Sequence, residues 1–426
     1  MTQQSKSYAL PIVMMIALFA MISFVTGLGG PFGVIMKDQF KASDAMSQLG
    51  TFANFIAYLF MGIPSGILLE RIGYKKTALA AIAVGFIGVA IQYFSGTIGS
   101  FPVYVAGAFV AGFSMCMLNS VVNPMLNTLG GGGKKGNQLI QVGGTFNSLS
   151  ATIIPVLVGF LIGNSAKASI SDASPALFIA MGIFALVFIV LFFVNIPEPN
   201  IEVSKSKEKD KHSALSFTHF KLGAIAIFVY VGIEVGIPNF INLFMTSSIE
   251  KGGLDIDKTV AGSVVGTYWF LMLIGRFIGA SIGGKVSSKS MLSFASILGL
   301  LFVIVAMYCP ISTVITMPGL QSDLTFVMAQ VPVSIVFFVL CGLCTSIMWG
   351  GIFNLAVEGL GKYTKMASGI FMVMVCGGGI MPWIQGKVSD LSGYIPSYWV
   401  IAIGLAYLLY YALIGSKNVN KDIPVE

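Results

Sequence analysis

Twelve apolar runs follow one another along the chain, each close to the about 20 residues that a helix needs to cross the hydrocarbon core of a bilayer. Inside lipid the backbone has no water to bond with, so such runs fold as helices whose hydrogen bonds are internal. The composition agrees, because 56% of the residues are hydrophobic and only 10% are charged, outside the range of soluble globular domains. We therefore predict an all-α integral membrane protein with twelve transmembrane helices. The predicted spans cover residues 10–36, 46–69, 77–96, 101–127, 138–163, 175–196, 219–246, 259–283, 290–310, 326–357, 365–388 and 395–415.

One long polar segment, residues 197–218, divides these spans into six and six. We expect residues 1–197 to form an N-terminal six-helix bundle, residues 198–218 a cytoplasmic linker, and residues 219–426 a C-terminal six-helix bundle. Most Lys and Arg residues fall on the side that holds the linker and both termini, so the positive-inside rule makes that side cytoplasmic. The same rule explains the net charge of +7, and we expect no nucleic-acid partner because no basic stripe carries interleaved aromatic residues.

The seventh predicted span carries a carboxylate near its centre, Glu234, and no other charged residue lies between Lys221 and Glu250. A charge at this depth costs about 3 kcal/mol or more unless it faces a cavity or a partner. No basic residue is close to Glu234 in sequence or expected at the same depth, so we predict that Glu234 binds substrate or the coupling ion. A buried, protonated, purely structural carboxyl group is the alternative. Pro238 removes a backbone donor and is expected to loosen the helix beside this carboxylate.

Neutral polar side chains recur inside several other spans. Asn119 and Asn123 share one face of the fourth span, next to Pro124. Amides outnumber charges, which favours a neutral polyhydroxylated solute over an amino acid or an organic anion, and aromatic rings could stack on a sugar ring. For each Asn a bond that bridges two helices is the alternative, and for each Trp it is packing. The candidate substrate-binding residues are Asn119, Asn123, Asn147, Glu234, Asn239, Tyr268, Trp269, Asn354 and Gln385.

A basic turn after the second span reads GIPSGILLERIGYKK, residues 62–76. It resembles the cytoplasmic signature of the major facilitator superfamily, in which a small residue precedes an acid, Arg, Gly and two basic residues; an ordinary basic turn is the alternative. A weaker echo, GRFIG at residues 275–279, follows the eighth span, where a repeated half would place it. Near the cytoplasmic end of the tenth span, an acidic residue lies close to Lys362. We expect gating roles for the charged residues of these segments: Glu70, Arg71, Arg276 and Glu358.

Segments in both halves resemble the fucose/glucose/galactose symporter family within that superfamily, above all YVGIEVGI at 230–237, SIMWGGIFNLAVEGLGK at 346–362 and GGGIMPWIQG at 377–386. The resemblance implies uptake of a sugar by alternating access, driven by protons or, in some members, by sodium. It also implies an acid in the first span and a Glu in the fourth, where this chain has Gly30 and Asn119. Glu234 is therefore the mid-span carboxylate that remains for coupling.

The sequence thus predicts a secondary active transporter that imports a hexose or small saccharide by cation symport. We expect a monomer in a bacterial inner membrane, with a co-transported proton or sodium ion, no other cofactor, no metal site and no enzymatic activity. The run Gly130–Gly133 lacks the features of a phosphate-binding loop, so the energy must come from a gradient. A passive sugar uniporter, a non-transporting sugar sensor and an exporter of amphipathic drugs are the alternatives.

Overall fold

The computed structural model describes residues 8–130, 133–162, 168–196, 212–282, 286–320, 325–420 and 422–425. Within these residues twelve helical segments are long and apolar enough to cross a membrane, which confirms the predicted number of spans. Most of the predicted linker, residues 198–211, lies outside the described part of the chain. The helices are α1 (Ala9–Gly27), α2 (Gly29–Phe40), α3 (Asp44–Ser47), α4 (Leu49–Ile98), α5 (Phe101–Leu129), α6 (Gly133–Ile162), α7 (Ser174–Phe193), α8 (Thr218–Thr246), α9 (Lys258–Ile282), α10 (Ser288–Tyr308), α11 (Val333–Thr345), α12 (Met348–Val357), α13 (Thr364–Met374), α14 (Gly377–Ser392), α15 (Tyr394–Ser397) and α16 (Trp399–Tyr410). Short 3₁₀ turns cover Ala214–Ser216, Ile249–Lys251 and Gly361–Tyr363, and a π-helical turn, Tyr411–Gly415, ends the last span.

Three spans are interrupted near their middle. The first consists of α1 and α2 with a break at Leu28, the tenth of α11 and α12, and the eleventh of α13 and α14. Glycines flank the first and the third break, at residues 27, 29 and 30 and at residues 377–379, and glycine weakens helices because it restricts the backbone least. The expected loosening of the seventh span at Pro238 is wrong, since α8 runs without interruption through that residue.

An antiparallel hairpin lies between α10 and α11 and corrects the predicted start of the tenth span. Strand β1 (Val314–Leu320) pairs with strand β2 (Phe326–Pro332), so the tenth span begins at Val333 rather than at residue 326. Both strands are apolar and uncharged, and hydropathy alone does not distinguish such strands from the start of a span. The hairpin packs on α9, where the Leu320 backbone N–H donates to Thr267 Oγ1 at 3.1 Å.

The basic turn of the superfamily-like signature lies within α4, where the span Leu49–Leu69 meets the span Arg71–Ile98. Gly73 has φ 84° and ψ 173° there, a conformation that residues with a Cβ rarely adopt. The glycine of the signature is therefore required by the geometry of the turn.

We call α1–α7 the N-half and α8–α16 the C-half. The pairs α6–α9 and α4–α14 pack the two halves together. In the first pair Gly159 faces Gly262, and a Cβ on either residue would overlap the backbone of the opposite helix. In the second pair a Cβ on Gly379 would overlap the backbone of Phe52. Small residues thus bring the two halves into direct backbone contact, as is usual between helices in lipid.

Candidate substrate and coupling site

A cavity lies between the N-half and the C-half. Among the described residues that line it none is charged, and its polar side chains carry hydroxyls, amides and the indole of Trp269. On the C-half side the wall is one face of α8, formed by Val235, Pro238, Asn239 and Asn242 at helical spacing. The structure therefore brings two of the predicted substrate residues, Asn239 and Trp269, to one cavity. The remaining lining comes chiefly from the N-half: Ser23, Thr26, Gly27, Gly30, Pro31, Thr51, Phe55, Ala151 and Pro155.

Glu234 borders this face of α8 and has a basic partner. Its Oε1 lies 3.5 Å from Nη2 of Arg276 on α9, and the two side chains are 16% and 23% exposed. The expectation that no basic residue shares the depth of Glu234 is therefore wrong. The pair lowers the cost of a carboxylate inside the bilayer, because each charge compensates the other.

The same guanidinium connects the C-half to the N-half. Arg276 Nη1 donates to the carbonyl oxygen of Gly144 at 3.1 Å and to Ser148 Oγ, and both of these residues lie on α6. Arg276 is thus shared between a carboxylate of its own half and two oxygen acceptors of the other. A change in the charge of Glu234 changes the electrostatic forces on a side chain that spans the two halves.

Tyr268 lies behind Glu234 and is fully buried. Because Pro238 has no N–H, the carbonyl of Glu234 lacks the donor that a helix supplies four residues later. The Tyr268 hydroxyl is 3.3 Å from this carbonyl oxygen, to which it donates, and 3.1 Å from Thr345 Oγ1. Tyr268 therefore completes the hydrogen bonding of α8 at the proline, and this contact explains why the helix stays continuous.

Replacing Tyr268 by Phe should lower the free energy of unfolding by about 1 kcal/mol, because the buried carbonyl of Glu234 loses its donor. In a Pro238→Ala background the new N–H supplies that donor, so the same Tyr268→Phe change should cost clearly less. Thermal unfolding of the four proteins in nanodiscs measures both differences. Equal losses in the two backgrounds would contradict this role for the hydroxyl.

The predicted amides of the N-half bond to other protein groups in this conformation. Asn119 Nδ2 donates to the Tyr58 hydroxyl at 3.0 Å, and Asn123 Nδ2 donates to the carbonyl of Asn119 at 3.2 Å. Asn147 Nδ2 donates to the carbonyl of Phe19 at 2.8 Å, so it bridges α6 and α1. None of the three predicted Asn residues belongs to the described cavity lining.

Two predicted amides of the C-half also lie apart from the described lining of the cavity. Asn354 is exposed and its Nδ2 donates to Ser288 Oγ at 3.4 Å, at the start of α10. Gln385 is fully buried, with Nε2 3.5 Å from Ser397 Oγ.

The predicted gating residues other than Arg276 lie near the ends of spans. Arg71 is exposed next to the turn at Gly73, and Glu358 is exposed at the end of α12. The carbonyl oxygen of Glu358 is 3.0 Å from Nε2 of the buried His219. The side chain of Glu70 lies outside the described part of the structure.

A buried ion pair of the N-half lies against the C-half at the end of the cavity opposite the predicted cytoplasmic turn. Lys37 of α2 pairs with Asp44 of α3, and each side chain is 9% exposed. Three C-half hydroxyls surround this N-half pair. Ser247 Oγ accepts from Lys37 Nζ at 3.0 Å, Ser389 Oγ donates to Asp44 Oδ2 at 2.6 Å, and the Tyr394 hydroxyl donates to Asp44 Oδ1 at 3.0 Å.

A C-half carboxylate completes this arrangement. Asp390 accepts from the backbone N–H groups of Asp44 at 2.6 Å and Ala45 at 3.1 Å, which are free donors at the start of α3. Nearby, Asp38 pairs with Lys258 at 2.8 Å, again across the two halves. The predicted outer side is therefore closed by charge-assisted contacts. We call the following set the outer cluster: Lys37, Asp44, Ser247, Ser389, Asp390 and Tyr394.

Sequence reasoning missed the hydroxyls of the cavity, Ser23, Thr26 and Thr51, and the whole outer cluster. Single Ser and Thr residues are common in membrane helices because their hydroxyls bond to their own backbone, so they give no distinct signal. Asp44 and Asp390 had a usable signal, since both are acids that flank predicted spans on the predicted outer side.

A family model described as the Major Facilitator Superfamily matches residues 14–382, most of the chain. The chain belongs to the Major Facilitator Superfamily. As a superfamily member the protein is a membrane transporter and not an enzyme, and the predicted fold class is confirmed.

Curated relatives of this transporter match it almost from end to end. The glucose/galactose transporter of Brucella abortus (strain 2308) is 30% identical over 424 residues, which cover 98% of this chain and 97% of that protein. The L-fucose-proton symporter of Escherichia coli (strain K12) is 23% identical over 444 residues, with 98% and 96% covered. Among solved structures, the Escherichia coli fucose:proton symporter superposes with a TM-score of 0.69 at 20% identity, covering 97% of this chain and 100% of that chain.

Proposed function

We propose that this transporter imports a hexose or small saccharide by cation symport with alternating access. The relative from Brucella abortus named a glucose/galactose transporter supports a hexose, because the similarity extends over 98% of this chain. Glucose and galactose are therefore the first sugars to test.

The observation that carries this proposal is the chemistry of the cavity wall. Sugars offer hydroxyl groups around the ring and an apolar face, and sites for them combine polar side chains with an aromatic surface. The wall supplies hydroxyls, the amides of Asn239 and Asn242, and the indole of Trp269. Its described residues carry no charge, which disfavours amino acids and organic anions.

Asn239 and Trp269 are the proposed sugar ligands among the predicted residues. The other predicted amides, and Tyr268, bond to protein groups in the conformation described here, and we assign them a supporting role in it. A sugar ligand has to be accessible from the cavity, so the buried Gln385 and Tyr268 would contact sugar only after a rearrangement.

The coupling cation in this proposal is a proton that binds Glu234. A guanidinium nitrogen already lies 3.5 Å from the carboxylate, so a sodium ion there would meet like-charge repulsion. A proton instead neutralises the carboxylate and frees Arg276 to bond only to α6. The relative named L-fucose-proton symporter supports a proton as the coupling ion.

We place the transporter in a bacterial inner membrane as a monomer with both termini in the cytoplasm, because basic residues concentrate on that side. Residues 1–197 and 219–426 are proposed as the two moving bundles. Arg276 and the charged residues Glu70, Arg71 and Glu358 are proposed to gate the cytoplasmic half.

Uptake into proteoliposomes tests this function. With an inward proton gradient, D-glucose or D-galactose should accumulate above the external concentration, whereas L-glucose should not. A sodium gradient alone should give no accumulation. If no sugar accumulates under any gradient, symport is wrong.

A passive uniporter is the second candidate, favoured by one observation. The acids that the family resemblance implies in the N-half are replaced by Gly30 and Asn119, and the remaining carboxylate is already paired with Arg276. In that case sugar flux would equilibrate without accumulating. Flux of either kind excludes a non-transporting sensor.

A further inference from the structure

A continuous line of polar groups leads from the cavity to the outer cluster. Asn239 Nδ2 donates to Gln48 Oε1 at 2.8 Å, Gln48 Nε2 donates to Ser47 Oγ at 3.4 Å, and Ser47 Oγ donates to the carbonyl of Asp44 at 2.7 Å. We propose that Gln48 is a positioning residue that transmits occupancy of the cavity to the outer cluster, so that bound sugar loosens the outer closure. This inference rests on the proposed sugar transport.

The first step of the line crosses from one half to the other. Asn239 belongs to α8 of the C-half, whereas Gln48 stands in the N-half between α3 and α4. Asn239 is 6% exposed and Gln48 is 0% exposed. A buried amide left without a partner costs about 1–3 kcal/mol. The Gln48 side chain is therefore expected to move with Asn239 so that the hydrogen bond between them is kept. Separation of the halves on the outer side has to break this contact.

Gly30 makes that crossing contact sterically feasible. A Cβ at residue 30 would overlap Asn239 Oδ1, and a Cβ at residue 29 would lie 2.6 Å from Thr51 Oγ1. Gly30 stands where the family resemblance implies an acid, and the Asn239 amide from the opposite half fills the space that a side chain there would take. One amide therefore touches the cavity, α2 and Gln48 together.

A sugar hydroxyl that bonds to Asn239 competes with Gln48 for the same amide. A shift of about 1 Å would stretch the Asn239–Gln48 contact beyond hydrogen-bonding distance. Gln48 would then release Ser47, whose bond to the Asp44 carbonyl fixes the short helix that carries Asp44 and receives Asp390. Sugar in the cavity thus weakens the same element that closes the outer side, which gives the coupling a contiguous physical route.

We call this route from Asn239 through Gln48 and Ser47 to Asp44 the relay. Hydrogen–deuterium exchange of the reconstituted full chain tests the relay without attaching a probe to the protein. The readouts are the peptides that contain Asp44 and Asp390, measured with and without D-glucose. In the parent chain glucose should raise their exchange rate by about fivefold, as expected for a coupling of about 1 kcal/mol. In Gln48→Met, which keeps the side-chain volume but removes the amide, glucose should no longer change the rate.

A matched variant distinguishes the relay from a general loss of packing. Asn54→Leu likewise removes a buried amide, in this case one on α4. This amide donates to the Ala108 carbonyl at 3.3 Å, so its hydrogen bond stays within the N-half. The glucose response of this variant should remain that of the parent. A glucose response that persists in Gln48→Met overturns the relay, as does one lost equally in both variants. If the parent chain accumulates sugar but shows no glucose response at the outer peptides, the relay fails while the proposed function stands.

Discussion

Replacing Glu234 by Gln is expected to abolish accumulation of sugar in proteoliposomes while exchange of sugar across the membrane continues. Gln has the shape of a protonated Glu but has no proton to release, so binding and movement of the halves persist without coupling to the gradient. The accumulation ratio should fall to about 1, and counterflow should stay within about tenfold of the parent rate, a change of about 1.4 kcal/mol in the barrier. Gradient-driven uptake and counterflow of D-glucose measure the two quantities.

The matched control for this substitution is Glu250→Gln. It removes an exposed carboxylate in the 3₁₀ turn Ile249–Lys251, outside the proposed site and gate, and should leave accumulation near the parent level. Unchanged accumulation in Glu234→Gln would show that the proton binds elsewhere. Loss of both accumulation and counterflow would show that Glu234 is needed for sugar binding or for movement.

Replacing Arg276 by Met is expected to destabilise the protein by at least about 2 kcal/mol, since removal of one partner leaves the other charge largely buried and uncompensated. The double variant Glu234→Gln with Arg276→Met contains neither charge and should recover most of this loss. Thermal unfolding of the parent, both single variants and the double variant in nanodiscs measures the coupling energy between the two residues.

The control for Arg276→Met is Arg71→Met, which removes an exposed guanidinium next to the turn at Gly73. Its effect on unfolding should be small, because exposed charges contribute little to stability. If the double variant is as unstable as Arg276→Met alone, the contacts of Arg276 with α6 rather than the ion pair account for its role.

The spans could be predicted because a bilayer sets their length and hydropathy. The ninth span was predicted at 290–310 and α10 covers Ser288–Tyr308, and the last was predicted at 395–415 and lies at Tyr394–Gly415. The hairpin was not predictable in the same way. Its strands are as apolar as a transmembrane span. What distinguishes them is the pairing of residues far apart in the chain, such as Val314 with Pro332, and a local hydropathy pattern does not reveal such a pairing.

Site residues could be predicted from the sequence only where the residue itself is unusual in its own helix. Glu234 and Asn239 stand out as polar groups inside an apolar helix, and the structure places both at or beside the cavity. Arg276 was assigned to the segment GRFIG, which resembles the superfamily signature. Its partner Glu234 lies on another helix, and a single sequence does not determine how that helix is rotated or how deep it sits relative to α9. Gln48 gave no signal, because its importance comes from a contact with the opposite half.

The glycine contact between α6 and α9 has a mechanical consequence. Gly159 and Gly262 meet through bare backbone, so no interlocked side chains need to withdraw when one helix tilts over the other. This point can act as a fulcrum, and Ser148 lies about 16 Å from it along α6 by the rise of a helix. A tilt of about 10° would displace Ser148 by about 3 Å, as follows from that lever arm. A small rolling motion at Gly159 is therefore large enough to separate Ser148 from Arg276 farther along α6.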